Sequence, residues 1–228
     1  MIKPAYFLLS LVGLMLCGCV KQPAEEILVY ENLFEKNLIE VKSRVDSAYI
    51  SFQHFSENYF EFNGSRNLGR FGTGGVTLTL EGLPEHQLIR LEFELYIHDK
   101  WEGYGLRGNT QDVFILNVDD LNVHFDVIVN TKCLSRDCDA IQSFPNRLGG
   151  ASTPENASVT DPTLPGVCFY KDEIGGTKLI KFANVYPHQS NKLVVNIAAG
   201  IKDAGPDLCL KSWSIDNLRI RTVSLPEL

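Results

Sequence analysis

The sequence predicts an all-β protein, an antiparallel β-sandwich, and three observations lead to this prediction. Apolar and polar residues alternate over several short segments, which is typical of half-buried strands that cover a core with one face. Turn signals such as "EGLP", "NGS" and "VDD" separate these segments. Only residues 31–44 offer a helical pattern, and that pattern is weak.

The clearest strands come in the first half of the chain. "GVTLTLEGLP" predicts one inward face made of Val76, Leu78 and Leu80. "LIRLEFELYIHD" predicts a longer inward face made of Ile89, Leu91, Phe93, Leu95 and Ile97. "DLNVHFDVIVN" predicts that Leu121, Val123, Phe125, Val127 and Val129 are buried. Further strands are predicted in "DVFILNV", "KLIKF" and "KLVVNIA".

The last predicted strand, "KSWSIDNLRIRTV", changes phase in its middle. Trp213 and Ile215 share one parity, whereas Leu218 and Ile220 share the other. A β-bulge at Asp216-Asn217 produces such a slip, and bulges often redirect a side chain beside a site. The alternative is a twisted edge strand without a role.

The N-terminus has the layout of an export signal. Lys3 is followed by the apolar run "AYFLLSLVGLML", which is too short to span a bilayer as a helix. The run ends in Leu16-Cys17-Gly18-Cys19 and so resembles the lipobox of bacterial lipoproteins. The alternative is an ordinary signal peptide with a stray cysteine.

The lipobox resemblance implies a domain layout and a location. Residues 1–18 form a signal peptide, residues 19–29 carry the lipidated Cys19 and a short tether, and residues 30–228 form the β-sandwich. Several acyl chains on Cys19 hold a protein durably to a membrane. Val20, rather than an acidic residue, follows the cysteine, which favours the outer membrane.

Composition limits the partners. The chain has 21 Lys+Arg and 28 Asp+Glu, a net charge of −7, and removal of Lys3 with the signal makes this 20 minus 28, or −8. Nucleic-acid binding needs a basic surface, so that class is excluded. The same charge argues against wide electrostatic contact with anionic lipid.

Four cysteines remain in the mature chain, and an even number in an exported protein indicates disulfides. Three pairings are possible, and we favour Cys133–Cys138 with Cys168–Cys209. Zinc is the rival, but the chain has one C-x₄-C and no second close pair, which argues against it.

Several segments together resemble a family of secreted bacterial domains. They are "YENLFE", "LGRFGTGGVTLTLEGLPEHQLIRLEFELYIHDKWEGYG", "DVFILNVDD" and "SWSIDNLRI", spread over residues 30–220. The ending is also similar to that of MAM-type and carbohydrate-binding jelly rolls. The resemblance implies a jelly-roll-like sandwich outside the cytoplasm and supplies no catalytic residues. In some relatives an acidic pair precedes the terminal Ser-Trp, where Leu210-Lys211 stand here.

Calcium is the expected structural ion, because it prefers six to eight oxygen ligands. "HDKWEGYGLRGNTQD" offers Asp99, Glu102, Asn109 and Asp112 on a glycine-rich loop. Sugar-binding jelly rolls often hold calcium between their first and last strands, and the resemblance makes Glu31, Glu35 and Asp216 the matching ligands. The rival interpretation is solvated loop carboxylates.

Aromatic side chains that stack on sugar rings are expected near the same strand end. Trp101, Tyr104, Tyr96 and His98 are the predicted ligand-binding residues. The alternative for Trp101 is a core position at the rim of the sandwich.

One weak pattern in the sequence is compatible with a catalytic function. Glu92 and Glu94 share a strand face, and their Cα atoms are expected about 6.6 Å apart. This separation is compatible with glycosidases, whose two catalytic carboxyl groups lie ~5–9.5 Å apart. Any Glu-x-Glu on a solvated strand passes this test, and no G-x-S-x-G, H-E-x-x-H or P-loop occurs. The sequence therefore predicts a lipid-anchored, non-catalytic binding protein whose partner is a glycan or an envelope protein. The alternatives are a glycoside hydrolase and a structural envelope-assembly protein.

Overall fold

The computed structural model describes residues 24–35, 42–55, 59–102, 112–127, 159–202 and 208–226. These residues form eleven strands and no helix, as the sequence predicts. The strands are β1 (Glu25–Asn32), β2 (Lys42–Ser43), β3 (Ser47–Phe55), β4 (Tyr59–Phe62), β5 (Ser65–Glu81), β6 (Leu88–Asp99), β7 (Val113–Val118), β8 (Leu121–Val127), β9 (Thr177–Pro187), β10 (Lys192–Gly200) and β11 (Lys211–Ser224).

One long strand divides the antiparallel sheet into two layers. The beginning of β5 pairs with β4 and β11, and its end pairs with β3 and β10. The first layer therefore runs β9–β6–β11–β1, and the second runs β3–β5–β10–β7–β8. The fold is an antiparallel, jelly-roll-like β-sandwich, because the sheet curls so that these layers face each other.

Apolar side chains from both layers meet in one core. Phe93 of β6 and Trp213 of β11 both contact Phe114 of β7, with ring centroids 6.3 and 6.5 Å apart. Trp213 is fully buried, and its Nε1 donates a 2.9 Å hydrogen bond to the Gly72 carbonyl oxygen. The ring thus fills the space between the layers while its polar atom stays satisfied.

The predicted inward faces of the two clearest strands are confirmed. Val76, Leu78 and Leu80 are at most 3% exposed, and the inward residues of β6 at most 2%. The prediction for β8 is wrong at Leu121, which is 65% exposed. Leu121 pairs with the buried Val118 and so lies on the core face, but it directly follows the Asp119–Asp120 turn on the outermost strand of its layer.

The β-bulge predicted in the last strand is confirmed. The pairing of β11 with β6 shifts register between Asp216 and Arg219, and Asn217 has a φ of +54°. The extra residue restores the inward direction, so Ile215 and Leu218 are both buried despite their opposite parity.

The sandwich starts earlier than the predicted residue 30, since β1 begins at Glu25 and pairs with Ser224 of β11. The N-terminal residues 1–23, including Cys19, lie outside the described residues. No helix in the described part of the chain is long and apolar enough to cross a membrane.

A third, smaller layer, called the covering layer below, lies over one end of the outer face of the first layer. Phe62 of β4 and Leu164 pack on Tyr96 of β6. The predicted disulfide Cys168–Cys209 is present and ties this covering segment to the residues before β11. Cys133 and Cys138 lie outside the described residues.

Candidate binding cleft

The predicted calcium ligand Asp99 binds backbone amides. It ends β6 with a φ of +64°, and its carboxylate accepts hydrogen bonds of 3.0–3.2 Å from the N–H groups of Val167, Cys168 and Tyr170. Burial raises the pKa of the carboxyl group, against the lowering effect of these hydrogen bonds. Asp99 thereby anchors the covering segment to β6.

Glu102 and Asp112, two further predicted ligands, lie together around a lysine. The Lys211 Nζ is 3.1 Å from Asp112 Oδ2 and 3.3 Å from Glu102 Oε2. Burial raises the pKa of Asp112. Burial also opposes ionisation of Glu102, but Lys211 and Lys100 outweigh it and lower the pKa of that carboxyl.

The remaining predicted ligands are Glu31, Glu35 and Asp216, and Glu31 has a different partner from the other two. Glu31 accepts a 2.8 Å bond from Arg219 Nε. Asp216 accepts a 2.7 Å bond from the Ser65 hydroxyl, which also contacts Glu35. Burial raises the pKa of Asp216 to about 6, helped by the nearby charges of Glu94 and Glu35.

The predicted calcium ligands among the described residues are therefore distributed over four places. Among the described residues, no three or more His, Cys, Asp or Glu side chains form a group that could hold a metal ion. Asn109, which was predicted with them, lies outside those residues.

The predicted sugar-stacking residues do not form an open platform. Trp101 and His98 are fully buried, and Tyr96 is 6% exposed. Trp101 Nε1 donates to the Ser212 carbonyl oxygen at 2.8 Å, and Phe62 packs edge-on against both His98 and Tyr96. Tyr96 and His98 are buried because the covering layer hides this part of the outer face, whereas Trp101 belongs to the main core. Tyr104 lies outside the described residues.

An open cleft lies on the uncovered part of the same outer face. It has a volume of about 360 Å³ and is formed by β6, β9 and β11. Alternation along β6 turns Glu92 and Glu94 outward, and the bulge in β11 brings Asn217 to the same side. The polar side chains of the cleft are Glu92, Glu94, Lys181, Asn217, Arg219 and Arg221.

Glu94 is the most fully coordinated carboxylate of the cleft. Asn217 Nδ2 donates to it at 3.0 Å and the Tyr96 hydroxyl at 3.1 Å, and Lys181 Nζ lies at 3.2 Å. Burial works to raise the pKa of Glu94, but these three partners outweigh it and hold the pKa below its ordinary value. Glu94 is thus a fixed, ionised acceptor.

The opposite wall of the cleft carries guanidinium groups. Arg219 forms an ion pair with Glu31. Arg221 has two longer contacts: its Nη1 is 3.8 Å from Glu92 Oε2, and its Nε is 4.0 Å from Glu26 Oε2. Arg221 Nη1 is buried and has no hydrogen-bond partner among the described residues. The cleft therefore combines a fixed carboxylate acceptor with two partly exposed guanidinium groups.

The sequence analysis identified Glu92 and Glu94 but missed the other side chains of the cleft. Lys181, Arg219 and Arg221 occupy outward positions in "KLIKF" and "NLRIRT", so their parity was a usable signal. Their proximity to β6 could not be predicted, because it depends on the pairing of three strands far apart in the chain.

Comparisons with known proteins give distant likenesses. No protein-family model matches the sequence, and the search of curated proteins found no match. The dimeric latent PorU from Porphyromonas gingivalis is similar over 90% of this chain and 13% of that chain, with 9% identity and a TM-score of 0.35. A family 35 carbohydrate-binding module from Clostridium thermocellum is similar over 86% of this chain and 97% of that chain, with 10% identity and a TM-score of 0.34. The chain thus spans a small part of PorU and nearly all of the carbohydrate-binding module, and the description of the fold rests on the strands themselves.

Proposed function

We propose that this protein is a non-catalytic binding protein that holds a glycan in the β6–β9–β11 cleft and is fixed to the bacterial outer membrane by a lipid on Cys19. The observation that carries the proposal is the open cleft of about 360 Å³ in which acceptors and donors stand on three paired strands. Ligand pockets of small molecules begin at ~300 Å³. A paired sheet keeps such groups in place without a ligand, which lowers the entropic cost of binding.

A glycan fits the chemistry of the cleft because each sugar hydroxyl both donates and accepts a hydrogen bond. The ionised Glu94 supplies a strong acceptor, and hydrogen bonds to charged groups contribute more than neutral ones. The partly exposed guanidinium groups of Arg219 and Arg221 supply N–H donors for sugar oxygens.

The state of Glu94 favours binding over hydrolysis. A glycosidase needs one carboxyl that stays protonated to serve as a general acid. The pKa of Glu94 is instead lowered by Asn217, Lys181 and Tyr96. Asp216 has a raised pKa, but it is 2% exposed and hydrogen-bonded to Ser65.

The test is a glycan array probed with the full-length protein, solubilised in detergent from the expressing cells. We expect the wild type to bind at least one class of glycan, and Glu94→Gln and Arg221→Gln each to weaken that binding tenfold or more. Lys192→Gln is the matched control, because Lys192 forms an exposed ion pair with Glu81 on the other layer.

Three outcomes would overturn the proposal. Glycan binding that survives both cleft variants would place the site elsewhere. Release of shortened glycans that Glu92→Gln abolishes would favour the hydrolase. The absence of any glycan ligand, together with one stable partner crosslinked in intact cells, would favour a structural role in envelope assembly.

A further inference from the structure

The rim of the cleft on β9 carries two apolar side chains. Successive side chains of a strand point to opposite faces, so Lys181, Ala183 and Val185 share the outer face. Ala183 lines the cleft and is exposed, and Val185, the next outward residue, is 46% exposed. Ala183 and Val185, called the apolar strip below, therefore offer a ligand in the cleft an apolar contact beside its polar groups.

Strand pairing places polar side chains directly next to the apolar strip. Ala183 of β9 pairs with Glu92 of β6, and Glu92 pairs with Arg219 of β11. On the other side of Ala183, Lys181 pairs with Glu94. Adjacent strands lie about 4.8 Å apart, so one small substituent of a ligand can touch the strip and its polar neighbours at the same time.

Glu92 and Lys181 can each form a hydrogen bond with a ligand. Glu92 Oε2 is 3.8 Å from Arg221 Nη1, which is longer than a hydrogen bond, and the Glu92 side chain is 28% exposed. Lys181 Nζ is 3.2 Å from Glu94 Oε1, and the Lys181 side chain is 58% exposed. An ammonium group has three N–H donors, so Lys181 can donate to a ligand while it stays paired with Glu94.

These three kinds of contact match one substituent of sugars, the acetamido group. This group combines a methyl, an N–H donor and a carbonyl acceptor. A carboxylate only accepts hydrogen bonds and an ammonium only donates them. The N–H therefore suits Glu92, the carbonyl oxygen suits Lys181, and the methyl suits the apolar strip. A hydroxyl group at the same position on the sugar has no apolar part to place there.

We propose that the β6–β9–β11 cleft selects glycans that carry an acetamido group, the N-acetylated hexosamines. The methyl lies on the apolar strip, the N–H donates to Glu92, and the carbonyl oxygen accepts from Lys181. The inference rests on the proposed glycan binding in this cleft and names the class of glycan.

The test measures the binding of matched pairs of glycans to the full-length protein in detergent. The members of a pair differ only in an acetamido or a hydroxyl group at one ring carbon: N-acetylglucosamine with glucose, and N-acetylgalactosamine with galactose, each in both anomers. We expect the acetylated member of the best-bound pair to bind at least about tenfold more tightly, because only this member makes the apolar contact and the amide hydrogen bonds.

Two variants of the apolar strip test where the preference arises. Val185→Thr keeps the β-branched shape and replaces a methyl by a hydroxyl, and it should reduce the ratio of the two affinities about threefold. Ala183→Asp puts a carboxylate beside Glu92 where the methyl should lie, and it should abolish the preference. Ile174→Thr is the matched control, because Ile174 is 75% exposed on the covering segment and should leave the ratio unchanged.

The outcomes separate this inference from the proposed function. Equal affinity of the wild type for both members of every pair would overturn the inference, and binding that Glu94→Gln still weakens would leave the glycan site in place. A preference that survives both Ala183→Asp and Val185→Thr would also overturn the inference, because the acetamido group would then be recognised elsewhere. The absence of any bound glycan would overturn the proposed function and the inference together.

Discussion

Asp216 shows how one buried carboxyl group couples stability to pH. It is 2% exposed, and the single proton of the Ser65 hydroxyl is shared between its contacts with Asp216 and Glu35. Burial, aided by the charges of Glu94 and Glu35, raises the pKa of Asp216 from 3.8 to about 6. The folded state therefore binds this proton more tightly than the unfolded state does.

The sign of the pH dependence follows from this difference. Stability from Asp216 is fully present below about pH 4 and is lost as the pH rises through about 6. Asp216→Asn should remove this loss, so the variant should be more stable than the wild type at pH 7 and about equal to it at pH 4. Allowing for solvent screening, the gain at pH 7 should be about 1–2 kcal/mol, or ~2–8 °C in Tm.

Thermal unfolding of both proteins between pH 4 and pH 7 checks this expectation. Glu85→Gln, an acidic residue in the loop between β5 and β6, is the control for general charge effects. A Tm difference between Asp216→Asn and the wild type that stays constant over this range would contradict the assignment.

Single residues also show where prediction from sequence stops. Tyr96 and His98 were expected on an open face, but burial of an outward-facing strand position depends on what covers it, whereas Trp101 takes the core position that was its alternative. Here Phe62 and Leu164 come from segments distant in the chain to cover that face. Alternation indicates which side of a strand a residue lies on, but not whether that side is open.

The bulge in β11 is the element on which the cleft depends. Asn217 adopts a φ of +54° there and donates to Glu94 at 3.0 Å. Glycine adopts a positive φ freely, whereas a β-branched residue is strained in that region.

Two substitutions separate strain from the lost hydrogen bond. Asn217→Gly and Asn217→Val both remove the bond to Glu94, but only valine adds backbone strain, of about 1–2 kcal/mol. We expect urea unfolding to show Asn217→Val less stable than Asn217→Gly by that amount. Equal stability of the two variants would argue against the left-handed conformation.

The disulfide Cys168–Cys209 holds the covering segment to the residues before β11. It closes a loop with a sequence separation of 41 residues, for which loop-closure entropy predicts a stabilisation of roughly 2–4 kcal/mol. Replacing both cysteines by serine should lower the free energy of unfolding by that amount in a denaturant titration. Reduction of the wild type is the matched comparison, and an unchanged midpoint in both cases would contradict this role.

At this scale the sequence was a good guide. The inward faces of β5 and β6 and the slip at Asp216-Asn217 were predictable because alternation is a local signal, whereas the Cys168–Cys209 pair was one of three pairings that the even number of cysteines left open. The failure at Leu121 reflects its position beside a turn on the outermost strand of its layer, which a period-two pattern does not reveal.

For the whole molecule, a lipid on Cys19 would determine which end of the sandwich lies near the membrane. Glu25 opens β1 six residues after Cys19 (25 minus 19), and six residues span at most about 20 Å. Glu25 pairs with Ser224, so with such an anchor the end of β11 would lie on the membrane side. The Lys211 end would then point away from the bilayer.

Lipidation can be measured directly. We expect cells fed an alkyne fatty acid to label the wild type and to recover it in the outer-membrane fraction. Cys19→Ser should lose both the label and the membrane association, whereas Cys17→Ser should keep the label. Labelling that persists in Cys19→Ser would contradict the anchor.

Glycan binding in the β6–β9–β11 cleft is the central claim, and chemical-shift mapping tests it most directly. The ¹⁵N-labelled protein would be titrated with the glycan selected on the array. The account predicts amide shifts concentrated at residues 92–94, 181–183 and 217–221 of the three strands. Shifts concentrated instead at residues 99–102 and 165–176, at the covered end of the sandwich, would contradict it.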